Sequence, residues 1–218
     1  MGRAALDQEG TACRYRGQRH TFPAAYADDT LTTMNSIAAF SQACRRSGVP
    51  PTPDLLHVCV TLQEVAHLRQ TRSAQQASSF PFYTLRARYR ASTARRGTGQ
   101  EMDSRQTPLG LHRVARKIGA GWPTGTVFHG RVPMGFTWQG IPDAMITDRI
   151  LWLEGLESGY NRGGRVDTFR RYIYIHGTGN EMTLGRPASQ GCIHMAARDL
   201  IPLHDQLPIG TLVWISKF

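Results

Sequence analysis

The chain has 218 residues, of which 40% are hydrophobic, so it can bury the core of one ordinary domain and is not disordered throughout. Its net charge of +10 favours contact with nucleic acid, an acidic membrane face or an acidic polymer, although a solvated basic surface explains the same charge. No apolar run reaches the ~20 residues of a membrane-spanning helix, and residues 1–17 lack the apolar segment of an export signal.

The first third of the chain predicts little regular structure. Residues 1–33 have no sustained apolar period, which predicts a poorly ordered extension, with Met34 as an alternative start of the protein. Residues 34–55 predict a short helix and a proline-rich linker, because Ile37, Phe40 and Cys44 share one helical face and Gly48 ends it. We assign the remainder, residues 56–218, to the main domain.

Strand patterns dominate that domain. Apolar and polar residues alternate over residues 56–62 and 83–91, and we interpret Arg86, Arg88 and Arg90 as a solvated strand face rather than a nucleic-acid groove. Further strands are predicted over residues 111–115, 126–132, 146–153, 171–175 and 212–215. An apolar stripe over residues 196–206 predicts a helix. The pattern predicts a mainly β fold, a sandwich or barrel with one or two short helices.

One cysteine stands apart from the others. Cys13, Cys44, Cys59 and Cys192 show no paired spacing, so neither a zinc ribbon nor a redox pair is indicated. Cys192 follows Gly191 in a turn between two strong elements. Because a free thiol with a pKa of about 8.5 is mostly protonated at neutral pH, a nucleophilic cysteine needs a base close by.

A histidine at the end of a predicted strand can supply that base. The strand over residues 171–175 leads directly into His176, and Gly177 allows a sharp turn beside it. This order predicts a thiol nucleophile, Cys192, with His176 as its base. Gly191 has no Cβ, so the backbone N–H groups of the turn can form an oxyanion hole.

Two other interpretations of the same residues stay open at this point. Cys192 can be a small buried hydrophobe and His176 a hydrogen-bonded core histidine. A metal site built from His176, Cys192 and His194 lacks a further ligand at a convincing spacing, so we predict no metal and no cofactor.

The motif resembles the catalytic domain of the bacterial L,D-transpeptidases, cysteine enzymes that cross-link peptidoglycan stem peptides. The family signature is a histidine, a variable loop, then Ser/Thr-His-Gly-Cys-Ile-Arg-Met. This chain reads His-Gly-Thr at 176–178, Ser-Gln-Gly-Cys-Ile-His-Met at 189–195, and then Asp199 and a Pro-x-Gly-Thr-x-Val segment at 208–213. The likeness also covers residues 92–94, 107–110 and 146–154, so it spans roughly residues 56–216.

The resemblance implies a mainly β catalytic domain over residues 56–218 and acyl transfer through a thioester. Cys192 would be the nucleophile and His176 the general base, with a backbone carbonyl holding the other ring nitrogen. Gly191, Ser189, Gln190, Gly177 and Thr178 would support the site and the oxyanion, while His194 and Tyr174 would contact the substrate. The implied partner is the peptidoglycan stem peptide, and the implied location is the cell envelope or periplasm.

Three residues depart from the family pattern. Gln190 replaces a second histidine and cannot carry a proton at neutral pH. His194 replaces an arginine, so a permanent bidentate carboxylate clamp becomes a ring that is mostly neutral above pH ~6.5. Ala197 replaces a helix-capping asparagine, an exchange that costs about 1 kcal/mol.

We therefore expect an active L,D-transpeptidase and keep two rivals, an L,D-carboxypeptidase and a catalytically weak peptidoglycan-binding module. The basic face at Arg86, Arg88 and Arg90 would serve either kind of protein, since the cell wall is anionic. Specific nucleic-acid binding is not predicted, because only the charge supports it.

Overall fold

The computed structural model describes residues 29–71, 82–141 and 144–218, and within them the chain forms ten strands and two α-helices. The helices are α1 (Asp29–Ser47) and α2 (Ala197–Gln206). The strands are β1 (Asp54–Cys59), β2 (Glu64–Thr71), β3 (Phe82–Ser92), β4 (Gly110–Ile118), β5 (Thr126–His129), β6 (Val132–Phe136), β7 (Thr147–Gly155), β8 (Tyr174–Gly177), β9 (Ile193–Met195) and β10 (Leu212–Ser216). The predicted mainly β fold is confirmed.

Eight of these strands close into a barrel. Their order is β4-β10-β1-β2-β3-β9-β8-β7, and β7 pairs with β4 to complete the ring. Closure pairs both edges of the sheet, so no strand of the ring presents an open edge. The remaining hairpin, β5–β6, attaches to the outside of the ring through β7.

The barrel interior is the main hydrophobic core. Every strand of the ring contributes to it, including Leu56 of β1, Ile175 of β8 and Ile193 of β9, and α2 adds Leu200 and Leu203. Each such fully buried aliphatic side chain contributes about 1.5–3 kcal/mol. A second cluster packs α1 against the outside of the barrel, where the ring of Phe40 contacts Tyr83 and Trp214.

Several elements differ from their predicted bounds. Helix α1 begins at Asp29 rather than near residue 35, so residues 29–33 of the predicted extension are helical, while residues 1–28 lie outside the described residues. Extending a helix adds one backbone hydrogen bond per residue without requiring an apolar period. The strand predicted over residues 126–132 is a hairpin, because the backbone turns at Gly130 and Arg131. Neither described helix is long and apolar enough to cross a membrane.

The arginine-rich strand β3 departs from its predicted alternation. Leu85 was expected on the buried face but is 49% exposed. The register with β2 shifts between His67 and Leu68, and this bulge interrupts the regular alternation of faces. The bulge places Arg88 on the same face as Leu85, where Arg88 forms an ion pair with Glu64.

Candidate active site

Strands β8 and β9 bring the predicted chemical residues together. The two strands run parallel, with Ile175 opposite Ile193 and His176 opposite His194. Because side chains alternate along a strand and the two isoleucines point into the barrel core, the residues on either side of them point to the opposite face. That face carries Tyr174 and His176 on β8 and Cys192 and His194 at β9.

The ring of His176 is held as a neutral base. Its Nδ1 lies 2.7 Å from the carbonyl oxygen of Gly177, and a carbonyl can only accept, so Nδ1 carries the proton. The other nitrogen, Nε2, therefore keeps its lone pair. Burial, and secondarily the neighbouring His194, lower the pKa of His176 to about 3. The ring is uncharged at neutral pH and can accept a proton, though only weakly.

The thiol of Cys192 is protonated in this conformation. Burial raises the pKa of Cys192 to about 11, against the smaller lowering effects of the Tyr174 N–H and of Arg171. Sγ accepts from the Tyr174 N–H at 3.4 Å and donates to the carbonyl of Tyr172 at 3.5 Å. Among the described residues no hydrogen bond joins Sγ to the His176 ring. The two side chains are diagonal neighbours across the parallel strand pair, because Cys192 precedes by two residues the His194 that lies opposite His176.

The hydroxyl of Ser189 stabilises the turn that contains Cys192. The Oγ of Ser189 accepts from the Gly191 N–H at 3.2 Å and donates to the Cys192 carbonyl at 2.6 Å. Gly191 has a φ of 131°, which L side chains rarely adopt, so the glycine is required there. The Gly191 N–H, expected from the sequence to face an oxyanion, is instead engaged by Ser189.

A second hydroxyl, Thr107, ties the same turn to the barrel. Its Oγ1 donates to the Gly191 carbonyl at 3.0 Å and accepts from the Ala94 N–H at 3.0 Å. Thr107 is fully buried. The resemblance covered residue 107 but assigned it no role, because the contact joins positions 84 residues apart.

Close packing fixes the carbonyl that orients His176. A Cβ at Gly177 would lie 2.7 Å from the Thr147 carbonyl oxygen and 2.4 Å from an Asp148 carboxylate oxygen. No other residue fits at 177 without moving β7. Glycine is therefore needed here for its small size rather than for a turn.

A partly buried arginine organises the loop beside the thiol. The guanidinium of Arg171 donates to the carbonyls of Gly99, Gln100 and Gln106 and to the Ser104 hydroxyl. The sequence placed residue 171 in a strand, whereas the chain turns there and β8 begins only at Tyr174. Arg171 is also the nearby cation that lowers the pKa of Cys192.

The remaining predicted site residues lie at different depths. Thr178 is buried, and its hydroxyl accepts from the Asn180 N–H. Gln190 is exposed beside the cysteine. The His194 ring lies 4.8 Å from the His176 ring, burial lowers its pKa to about 4, and its buried Nδ1 has no hydrogen-bond partner in the described part of the chain. The described residues contain no cluster suited to a metal ion.

The fold and the site together define a closed β-barrel that carries a thiol and a neutral imidazole on one outer face. Residues 74–215 match the family described as the L,D-transpeptidase catalytic domain, YkuD. The match covers more than half of the chain, so the protein belongs to this family.

Individual relatives match over shorter or more distant stretches. A putative L,D-transpeptidase YkuD of Bacillus subtilis is 40% identical over 48 residues, which are 22% of this chain and 29% of that protein. The chain thus matches less than a third of the length of this curated relative. L,D-transpeptidase 3 of Mycobacterium tuberculosis, solved with a faropenem-derived adduct, is 14% identical with a TM-score of 0.43, over 75% of this chain and 60% of that one. The structure of Bd1075 from Bdellovibrio bacteriovorus is 13% identical with a TM-score of 0.48, over 76% and 48%.

Proposed function

We propose that the chain is an active L,D-transpeptidase that transfers an acyl group between peptidoglycan stem peptides. The observation that carries the proposal is the tautomer of His176, because its Nδ1 contact leaves a bare Nε2 on the face that carries Cys192. A structural core histidine needs no unprotonated nitrogen on the same face as a thiol. Family membership supports the same chemistry.

In the first half-reaction the thiol forms a thioester. Sγ leaves its contact with the Tyr172 carbonyl, its proton passes to His176 Nε2, and sulfur attacks the donor peptide carbonyl at the L-centre of its third residue. The tetrahedral intermediate then collapses as the C–N bond to the terminal D-alanine breaks. The imidazolium returns its proton to the departing amine nitrogen.

In the second half-reaction an acceptor amine attacks the thioester carbonyl. His176 takes a proton from that amine, a new peptide bond forms, and the sulfur leaves as the thiol. Water in place of the amine gives hydrolysis, which is carboxypeptidase activity. The two activities share Cys192 and differ only in the acceptor, so analysis of the products separates them.

The oxyanion needs a donor other than Gly191. Because the Gly191 N–H donates to Ser189, we assign the oxyanion to the N–H of Cys192 itself. This N–H lies just before β9 begins, outside the ladder with β8. One buried donor of this kind is worth about 3 kcal/mol to a transition state.

A weakly catalytic peptidoglycan-binding module is the second candidate, and one observation favours it. Burial raises the pKa of Cys192 to about 11, and the thiol proton is directed to the Tyr172 carbonyl rather than to His176. A protein kept in that state would retain the fold and a basic surface without turnover. Either candidate places the protein at the cell envelope, where peptidoglycan is found.

Covalent labelling distinguishes the two. A carbapenem incubated with the full chain should add one acyl group, located at Cys192 by peptide mapping after intact-mass measurement. Cys44 and Cys59 are buried, and burial raises the pKa of both thiols, so they serve as internal controls. Cys192→Ala and His176→Ala should each abolish the adduct. Folded wild-type protein that stays unmodified would reject the enzyme and leave the binding module.

A further inference from the structure

An unusual arginine lies at the tip of the β5–β6 hairpin, over the residues that contact the thiol. Gly130 and Arg131 form the two-residue turn, with φ values of 53° and 72°. Such a turn favours glycine or asparagine at both positions, because an ordinary side chain meets a steric penalty in left-handed backbone. An arginine there calls for an explanation other than turn formation.

The Arg131 side chain is held on an aromatic platform. Its guanidinium carbon lies 4.8 Å from the Trp152 ring centroid and 5.1 Å from that of Tyr172. Its Nη1 donates to the Tyr174 hydroxyl at 3.1 Å. Cation–π contacts and this hydrogen bond fix the position of the charge without neutralising it.

Two residues of the platform contact the thiol through their backbone atoms. Cys192 accepts a hydrogen bond from the Tyr174 N–H and donates one to the Tyr172 carbonyl, so two of the three aromatic residues that hold Arg131 also contact Sγ. Cys192 itself packs beside the cluster that contains Trp152 and Tyr174. Arg131 therefore shares two neighbours, Tyr172 and Tyr174, with the thiol, although it is 61 positions away in sequence.

The guanidinium keeps unused donors. A guanidinium carries five N–H groups, and within the described residues only Nη1 of Arg131 donates a hydrogen bond, while no carboxylate pairs with the side chain. A planar, partly shielded guanidinium with free donors matches a carboxylate, which it can bind through two parallel hydrogen bonds. His194, at the position of the family arginine, is a partly buried ring whose pKa burial lowers to about 4, so it is neutral at pH 7 and cannot do this.

We propose that Arg131 binds a free carboxylate of the acyl donor and so makes the site selective for anionic donors over amidated ones. The proposal rests on the proposed function for the identity of the donor, a stem peptide, but the recognition it assigns to Arg131 applies to any small anionic electrophile that reaches Cys192. Arg131 is then a specificity residue on a different element from the nucleophile.

Two alkylating agents of nearly equal size test the recognition without requiring turnover. Iodoacetate carries a carboxylate and iodoacetamide carries an amide, and both alkylate Cys192 by the same displacement of iodide. The quantity measured is the ratio of their second-order rate constants at Cys192, obtained by peptide mapping of the full chain. We expect Arg131→Gln to lower the iodoacetate to iodoacetamide ratio by about three- to tenfold, in line with the net loss of one ordinary hydrogen bond at a partly exposed site.

The controls separate a specific contact from bulk charge and from misfolding. Arg116 lies over the same indole, 5.5 Å from the Trp152 centroid, so Arg116→Gln removes an equal charge nearby and should leave the ratio within about twofold. Arg131→Lys should give an intermediate ratio, because it keeps the charge without the planar fork. An unchanged iodoacetamide rate in each variant shows that the thiol environment is intact.

Defined results overturn the proposal. An Arg131→Gln ratio equal to the wild-type ratio, or an equal fall in Arg116→Gln, would remove the assignment to Arg131. Should Arg131→Gln misfold, the Arg131→Lys ratio decides alone, and a wild-type value there would overturn it. Failure of the proposed function would give a different result, with no carbapenem adduct and no release of D-alanine. The ratio of alkylation rate constants at Cys192 can be measured in that case as well.

Discussion

Replacing Thr107 by valine tests whether a buried hydroxyl holds the nucleophile turn. Valine keeps the shape of threonine but has no hydroxyl, so the Ala94 N–H and the Gly191 carbonyl lose their shared partner inside the protein. A buried unpaired N–H costs about 1–3 kcal/mol. A carbonyl tolerates the loss better and adds about 1 kcal/mol.

We therefore expect Thr107→Val to lower the free energy of unfolding by about 2–4 kcal/mol. Chemical denaturation monitored by tryptophan fluorescence measures this loss. Thr107→Ser is the matched control, because serine keeps both hydrogen bonds and loses only one buried methyl group, which costs about 0.8 kcal/mol. The carbapenem acylation rate of folded Thr107→Val should also fall, by about ten- to a hundredfold, because the displaced turn no longer aligns Cys192.

The comparison between the two variants decides the point. A valine variant as stable as the serine variant would show that the hydroxyl does not hold the turn. A valine variant that is destabilised but acylated at the wild-type rate would show that the Thr107 hydrogen bonds contribute to stability alone.

Three further outcomes follow from the site. Gly177→Ala should abolish acylation, because its Cβ would collide with the Thr147 carbonyl and move the group that orients His176. Gly121→Ala meets open space and only the local backbone strain of its φ of 77°, away from His176, so it should be acylated normally. Gln190→His should preserve or raise the acylation rate, and a fall would mean that the glutamine has a role of its own. The melting temperature should drop as the pH is lowered from about 7 to about 5, because an unfolded histidine gains protons below about 6.5 while a buried one does not. Burial lowers the pKa of five such rings: to about 4 for His57, His112 and His194, to about 3 for His176, and below its ordinary value for His204. A constant melting temperature over that range would contradict this account of their burial.

The strands that the sequence predicted are those with a clear local pattern, either an alternation of apolar and polar residues or a short apolar run. Residues 111–115 and 212–215 alternate or run apolar between turn residues, and both became strands near the expected bounds. Strand β2 was missed because both of its faces are buried over four consecutive residues, and the buried His67, which pairs with Asp54, interrupts the apolar pattern. Strand β9 has three residues, too few to show a period.

Site residues that belong to one local sequence motif could be predicted. Site residues that come together only when the barrel closes could not. His176 and Cys192 come from a local pattern, and β8 and β9 place them on one face. Three other side chains reach the same place from separate loops. Thr107 bonds to Gly191, Arg131 to Tyr174 and Arg171 to Gln106, and these hydrogen bonds span between 43 and 84 residues of sequence. No periodicity records such contacts, because they depend on how the sheet closes.

The most direct measurement is the mass of the peptide that contains Cys192 after the folded chain meets a tetrapeptide stem. A transient thioester of the stem at Cys192, lacking the terminal D-alanine and absent from His176→Ala, is the result that we expect. Stem peptide left whole, with the sulfur at position 192 unmodified in correctly folded protein, would contradict the assignment of nucleophile and base.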